Sequence, residues 1–177
     1  MSKKNDFIDG LKEIHKLVKA NHKLFHYKYE SKLTSISQVK DRIKKKKKIG
    51  FTCLVPCRLA LKKAGVKRSD GKSLIYAKDG SFGHCYSGNV KDYLKRIKSG
   101  DAIGKTLKKA VDKGLLKKGD ILAYKNKTHT FVYSGEDYIV YEGGHSCGDY
   151  TKGIRVIYEN RKEELSEILR WKEEEKE

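Results

Sequence analysis

The sequence predicts an α+β fold, with helices first and an antiparallel sheet after them. Two observations carry this expectation. Apolar residues recur every three or four positions up to Gly114, and from Leu115 onward they alternate with polar ones and become β-branched or aromatic. No internal repeat is present. A chain of 177 residues with eleven Tyr, five Phe and one Trp suffices for one domain with a real core, and is unlike a disordered polymer.

Taken in order, residues 5–22 place Phe7, Leu11, Ile14 and Val18 on one face and form an amphipathic helix. Residues 22–37 are a mixed aromatic and polar connector. A shorter helical stretch over 37–48 ends in the lysine run 44–48, which reads as a solvated helix end. Val55, Leu59, Ala60 and Ala64 support a third helix that stops at Gly65, a residue suited to a left-handed C-terminal turn. Glycines at 71, 80, 83 and 88 mark loops, a short helix follows over 89–97, and another opens at Asp101 and stops at Gly114. Turn signals at Lys125-Asn126 and Gly135-Glu136 then separate three short antiparallel strands, and residues 153–159 supply a fourth. The chain closes on an expected amphipathic helix, with Asn160 as cap, Glu163 three residues on, and the apolar stripe Leu165, Ile168 and Leu169. The organisation is a basic helical N-terminal extension (1–48), a core (49–159) and a C-terminal amphipathic helix (160–177), together one globular unit.

Basic side chains outnumber acidic ones 41 to 23, for a formal net charge of +18. The excess is concentrated in residues 1–50, fifteen basic against five acidic, whereas residues 160–177 carry five against seven. Such a field attracts nucleic acid, an acidic membrane surface or an anionic cell wall, and does not choose among them. Aromatics interleaved with basic residues in 22–32 suit single-stranded nucleic acid, yet no nucleic-acid module signature appears. The first ten residues are not followed by the apolar core of a secretory signal, and no segment approaches transmembrane length. The expectation is synthesis in the cytosol with free thiols, since the four cysteines include no C-x-x-C pair.

The chemistry concentrates in FTCLVPCRLALKKAG, residues 51–65, where two cysteines stand four apart. A cysteine nucleophile needs a thiolate, which a helix N-terminus and a neighbouring imidazole both favour. Cys53 meets the first condition and His129, at the head of a hydrophobic strand, meets the second. A carboxylate best holds such an imidazole in the right tautomer, which makes Glu142 the third candidate, with His145 and Tyr141 as alternatives. His84, Cys85, His145 and Cys147 invite a zinc reading, but their spacing fits no standard site, so neither metal nor cofactor is expected.

In this order the segments TCLVPCRLALKKAG, LKKGDIL and THTFVYSGEDYIVYEGG resemble the NlpC-type cysteine peptidases and amidohydrolases, which cleave peptidoglycan stem peptides. The likeness covers residues 50–145, more than half of the chain. It implies a papain-like fold in which a cysteine-bearing helix packs on an antiparallel sheet. Counting back from Gly65, it also places the nucleophile at Cys53, leaves Cys57 one turn inside the helix as packing, and puts the general base at His129. An upstream tyrosine of that family corresponds to Tyr27 or Tyr29, which with His145 are the expected substrate contacts. Where the family has Ser-Gly after the cysteine this chain has Leu54 and Val55, and Pro56 follows, a pattern that suggests a divergent phage or Firmicute branch. The partner implied is peptidoglycan or another anionic wall polymer, reached after lysis or as a virion component. The alternatives from other classes are a non-enzymatic nucleic-acid-binding protein and a Cys-His hydrolase or acyltransferase with a non-wall substrate.

Overall fold

The computed structural model describes residues 2–72, 81–125, 129–144 and 149–172, with His84 described by its backbone alone. Helix α1, Lys3–Ala20, begins where the Ser2 hydroxyl accepts the amide proton of Asn5, and it buries Phe7, Leu11, Ile14 and Val18, the face expected from spacing. Helix α2, Ile36–Lys44, opens with a capping box formed by Ser35 and Gln38. Two-residue strands β1, Phe25–His26, and β2, Ile49–Gly50, pair in parallel and deliver the chain to Phe51. Helix α3, Val55–Lys63, follows at once, with Pro56 in its first turn, where no amide proton is needed.

A six-stranded sheet carries the rest of the fold, in the order β3-β8-β4-β5-β6-β7, with every neighbouring pair antiparallel. Its strands are β3 Leu94–Ile97, β4 Ile121–Tyr124, β5 Thr130–Tyr133, β6 Ile139–Tyr141, β7 Arg155–Ile157 and β8 Leu165–Trp171. Alternate side chains sort the apolar residues into two layers. Ile121, Ala123, Val132, Tyr141, Leu169 and Trp171 face α1 and α3. Leu122, Tyr124, Phe131, Val140, Val156 and Ile168 face the opposite layer, which holds Leu107 and Ala110 of the short helix α5, Leu107–Asp112. The molecule is thus mixed α+β with helices packed on an antiparallel sheet, and Leu33, Ile36 and Val39 place the basic N-terminal region in the same core.

Three expected elements differ. The amphipathic helix expected over 160–177 is not found among the described residues: Leu165–Trp171 is strand β8, inserted between β3 and β4. The register against β4 shifts between Ala123 and Tyr124, so Leu165 and Ile168 reach the same layer although three residues separate them. The bulge puts Leu165 and Ile168 on one face, and Leu169 is buried on the other, so a strand buried on both sides shows the i, i+3, i+4 spacing of a helix. Residues 89–97 are also split, because α4 is only Val90–Tyr93 and the chain then pairs with β8. Helix α5 starts at Thr106, whose hydroxyl accepts from the Lys109 amide, rather than at Asp101.

Candidate active site

The turn at Thr52–Leu54 runs from β2 into α3. Beneath it, the rings of Phe25, Phe51 and Tyr150 pack with centroids 5.0–6.5 Å apart. The Tyr150 hydroxyl donates to the Phe51 carbonyl at 2.5 Å. This floor holds Cys53 half-buried, two residues before α3, where the helix dipole presents its positive end. Cys57 lies one turn further, at 2% exposure, and its thiol is pushed far up by burial. The two sulfurs therefore divide as the sequence suggests, Cys53 accessible and Cys57 packed. Cys85 is buried as well, with its thiol donating to the Phe82 carbonyl at 3.1 Å.

His129 immediately precedes β5 and Glu142 immediately follows β6, so pairing of these two strands brings both to one end of the sheet. The Glu142 amide donates to the Ile154 carbonyl at 2.9 Å, and this fixes the carboxylate's root. His129 Nε2 stands 3.0 Å from Glu142 Oε2. The imidazole is also hydrogen-bonded to the Cys53 side chain. With Nε2 turned to the carboxylate, Nδ1 is the ring nitrogen left for the sulfur. Burial depresses the imidazole pKa, but the hydrogen bonds to Cys53 and Glu142 and their charges outweigh it, and the result is about 9. At neutral pH the ring is held as an imidazolium between the Cys53 side chain and a buried carboxylate.

One member of this group escapes the sequence reading. The Tyr158 hydroxyl lies 3.0 Å from His129 Nε2 and is hydrogen-bonded to Glu142, which makes a triangle of ring nitrogen, carboxylate and phenol. Burial, followed by the charge of Glu142, pushes the phenol pKa up, so it stays a proton donor. Tyr124 and Phe131 complete an aromatic backing, with centroids 5.6 and 5.4 Å from the His129 ring. The signal available in the sequence is the alternation that puts Val156 and Tyr158 together, since a buried phenol needs a partner.

Among the alternatives for the third position, Tyr141 belongs to the apolar layer facing α3, and Glu142 is the residue that reaches the imidazole. His145 and Cys147 fall outside the described residues, as does the side chain of His84, so the zinc set cannot be placed. Among the described residues no group of His, Cys, Asp and Glu is arranged to hold a metal. Tyr27, 52% exposed, lies with its ring against Gly144, and a Cβ on Gly144 would also come within 3.7 Å of the Cys53 amide nitrogen. Tyr29 is exposed too, but it is tied to the guanidinium of Arg58, which also donates to the Glu30 and Leu33 carbonyls. The Gly143-Gly144 pair has a packing reason. A Cβ at 143 would collide with the Thr52 carbonyl and the Pro56 ring, so a bare backbone there lets the end of β6 close on the cysteine turn.

The arrangement is an accessible thiol, a protonated imidazole and a buried acceptor in series, which is what nucleophilic attack followed by proton delivery requires. No described helix is long and apolar enough to cross a membrane. No family model, curated protein or solved structure matches the chain.

Proposed function

We propose that the chain is a cysteine hydrolase with a papain-like arrangement of the NlpC type, acting on an amide or peptide bond of peptidoglycan stem peptides. The observation that carries this reading is the contact series Cys53–His129–Glu142, assembled from α3 and from adjacent ends of β5 and β6. Cys53 Sγ attacks the carbonyl carbon as the thiolate, and amides of the turn opening α3 face the oxygen that gains negative charge. His129 gives its proton to the departing amine, leaving a thioester on Cys53. It then takes a proton from water, which attacks the thioester, releases the carboxylic acid and returns the thiolate beside the recharged imidazolium. Glu142 holds the ring and favours its charged form. Tyr27, exposed and with its ring against Gly144, is the contact for the substrate chain in this reading. The net charge of +18 concentrates the protein on an anionic wall, an effect that weakens with salt.

The test is digestion of purified peptidoglycan under reducing conditions with mass analysis of released fragments. Wild type is expected to create new peptide termini and Cys53→Ala none. Rapid alkylation of Cys53 at neutral pH, lost in Cys53→Ala, without new termini would keep the nucleophile and move the substrate away from the wall. Uniformly slow alkylation would sink the enzyme reading altogether.

A further inference from the structure

At the end of β5 opposite His129, a cavity of about 560 Å³ opens between the start of α1, the Lys117–Asp120 turn and the end of β8. The Gly119 amide donates to the Tyr133 carbonyl, and His129 lies four residues away at the other end of the strand, roughly 14 Å at 3.4 Å per residue. Gly119 has φ +89, and a Cβ there would meet Trp171, Ile8 and Lys4 at 3.3–3.5 Å. The turn therefore closes tightly over the Trp171 edge, the Lys118 stem passes over Gly135, and Lys118 lines the same cavity as Lys3 and Lys4.

The charge around this cavity is one-sided. Five lysines line it, and of its two carboxylates Asp120 is already clasped by Arg170 at 2.7 and 3.0 Å. Lys3 donates to the Ala64 carbonyl and Lys172 to the Lys91 carbonyl, so both ammonium groups keep their charge uncompensated. Lys4 and Lys118 have no hydrogen bond or ion pair among the described residues. Like charges gathered around one opening repel one another unless a counter-ion is present, and several point charges spread around it suit an anion with several charged groups. The guanidinium fork that would grip a carboxylate in two places is occupied by Asp120, whereas ammonium groups suit phosphate oxygens. The described aromatic side chains lining the cavity offer little room for stacked bases: Trp171 is 7% exposed, and Tyr93, 36% exposed, carries Lys3 Nζ over its ring at 4.9 Å.

We propose that this cavity binds a polyanion of closely spaced phosphates without bases, such as a polyol-phosphate chain, through Lys4 and Lys118 with Lys3 and Lys172 in support. The site is separate from the Cys53 pair and does not depend on the hydrolase reading. Trp171 is the chain's only tryptophan, so its fluorescence reports on this wall alone. The full-length protein is titrated with inorganic tripolyphosphate at fixed ionic strength, followed by Trp171 emission and by calorimetry. Saturable binding is expected, tighter than for orthophosphate. It should weaken on the order of tenfold in Lys4→Gln/Lys118→Gln, which removes two of the contacting charges. Lys45→Gln/Lys47→Gln, in the lysine run that does not line the cavity, should bind as wild type. Absence of saturable binding by both methods overturns the proposal, as does equal weakening in both double variants, which would mean diffuse attraction only. Tighter binding of a thymidine oligonucleotide of matched charge also overturns it, in favour of nucleic acid.

Discussion

The cysteine turn at 51–57 and the closing strand at 165–171 are both short, both half apolar and both wedged against the sheet, yet they serve opposite ends. The turn keeps Cys53 only half-buried, beside an imidazole. The strand exposes little: it lies between β3 and β4, with Leu165, Ile168 and Leu169 at 0–1% exposure, and even its Glu167 is buried on Arg96. One region holds chemistry that folding does not need, and the other holds the fold without touching the chemistry. The comparison breaks if a change in either region alters both properties.

The largest effect belongs to the turn. Cys53→Ala is expected to lower turnover by at least about 10⁴-fold, as removal of a nucleophile does, while thermal melting stays close to wild type. A large loss of stability in that variant would show the turn to be structural. The strand gives the converse. Leu169→Ala empties a fully buried position facing α1 and α3 and should cost about 2–5 kcal/mol in denaturant unfolding. The folded fraction should retain the wild-type kcat. A fall in kcat per folded molecule would mean that β8 reaches the site after all.

The same pair of regions explains what could be read in advance. The cysteine turn was legible because its requirements are local: a proline tolerated only in a first helical turn, an apolar period running to Gly65, and a small thiol-bearing position just outside. The closing strand was not, because both of its faces are buried and one bulge puts Leu165 and Ile168 on the same face, which together give the spacing of a helix stripe, and the shift shows only against β4. Residues 94–97 were hidden in the same way, since their partner is β8 itself. In the site, His129 and Glu142 could be named from their places at strand ends, although choosing Glu142 over Tyr141 required knowing which side of the sheet each faces. Tyr158 is 29 residues from His129 in sequence, and nothing local links the two. Gly143 makes room for Thr52 and Pro56 and Gly144 for Tyr27, contacts that no local pattern in the sequence announces.

A smaller effect tests whether the turn depends on the sheet for its electrostatics. The imidazole's ordinary value is 6.5 and its folded value about 9, so the folded state holds its proton more tightly than the unfolded chain does. Its contribution to stability is present in full below about pH 6.5 and is lost as pH rises through about 9. Turnover should fall over the same upper range as the proton donor is lost. Glu142→Gln keeps the shape and removes the charge. It should lower turnover on the order of 10²-fold and bring the upper pH limb down by about 1–3 units. An unmoved limb would mean that Glu142 does not set the charge of the ring.

The smallest effect separates positioning from mere packing at Tyr158. Its hydroxyl donates to Glu142 and so occupies part of the carboxylate's capacity beside Nε2. Tyr158→Phe keeps the ring among Tyr124 and Phe131 but returns that capacity to the imidazolium. The upper pH limb should therefore move up, opposite in sign to Glu142→Gln, while turnover falls about tenfold from looser placement of the carboxylate and KM stays unchanged. A packing role alone would lower the melting temperature and leave both the pH limb and kcat where they were. Opposite shifts in the two variants would show that phenol and imidazolium compete for one carboxylate, and that the strand β7 edge helps set the protonation of a thiol pair built mostly from α3 and β5.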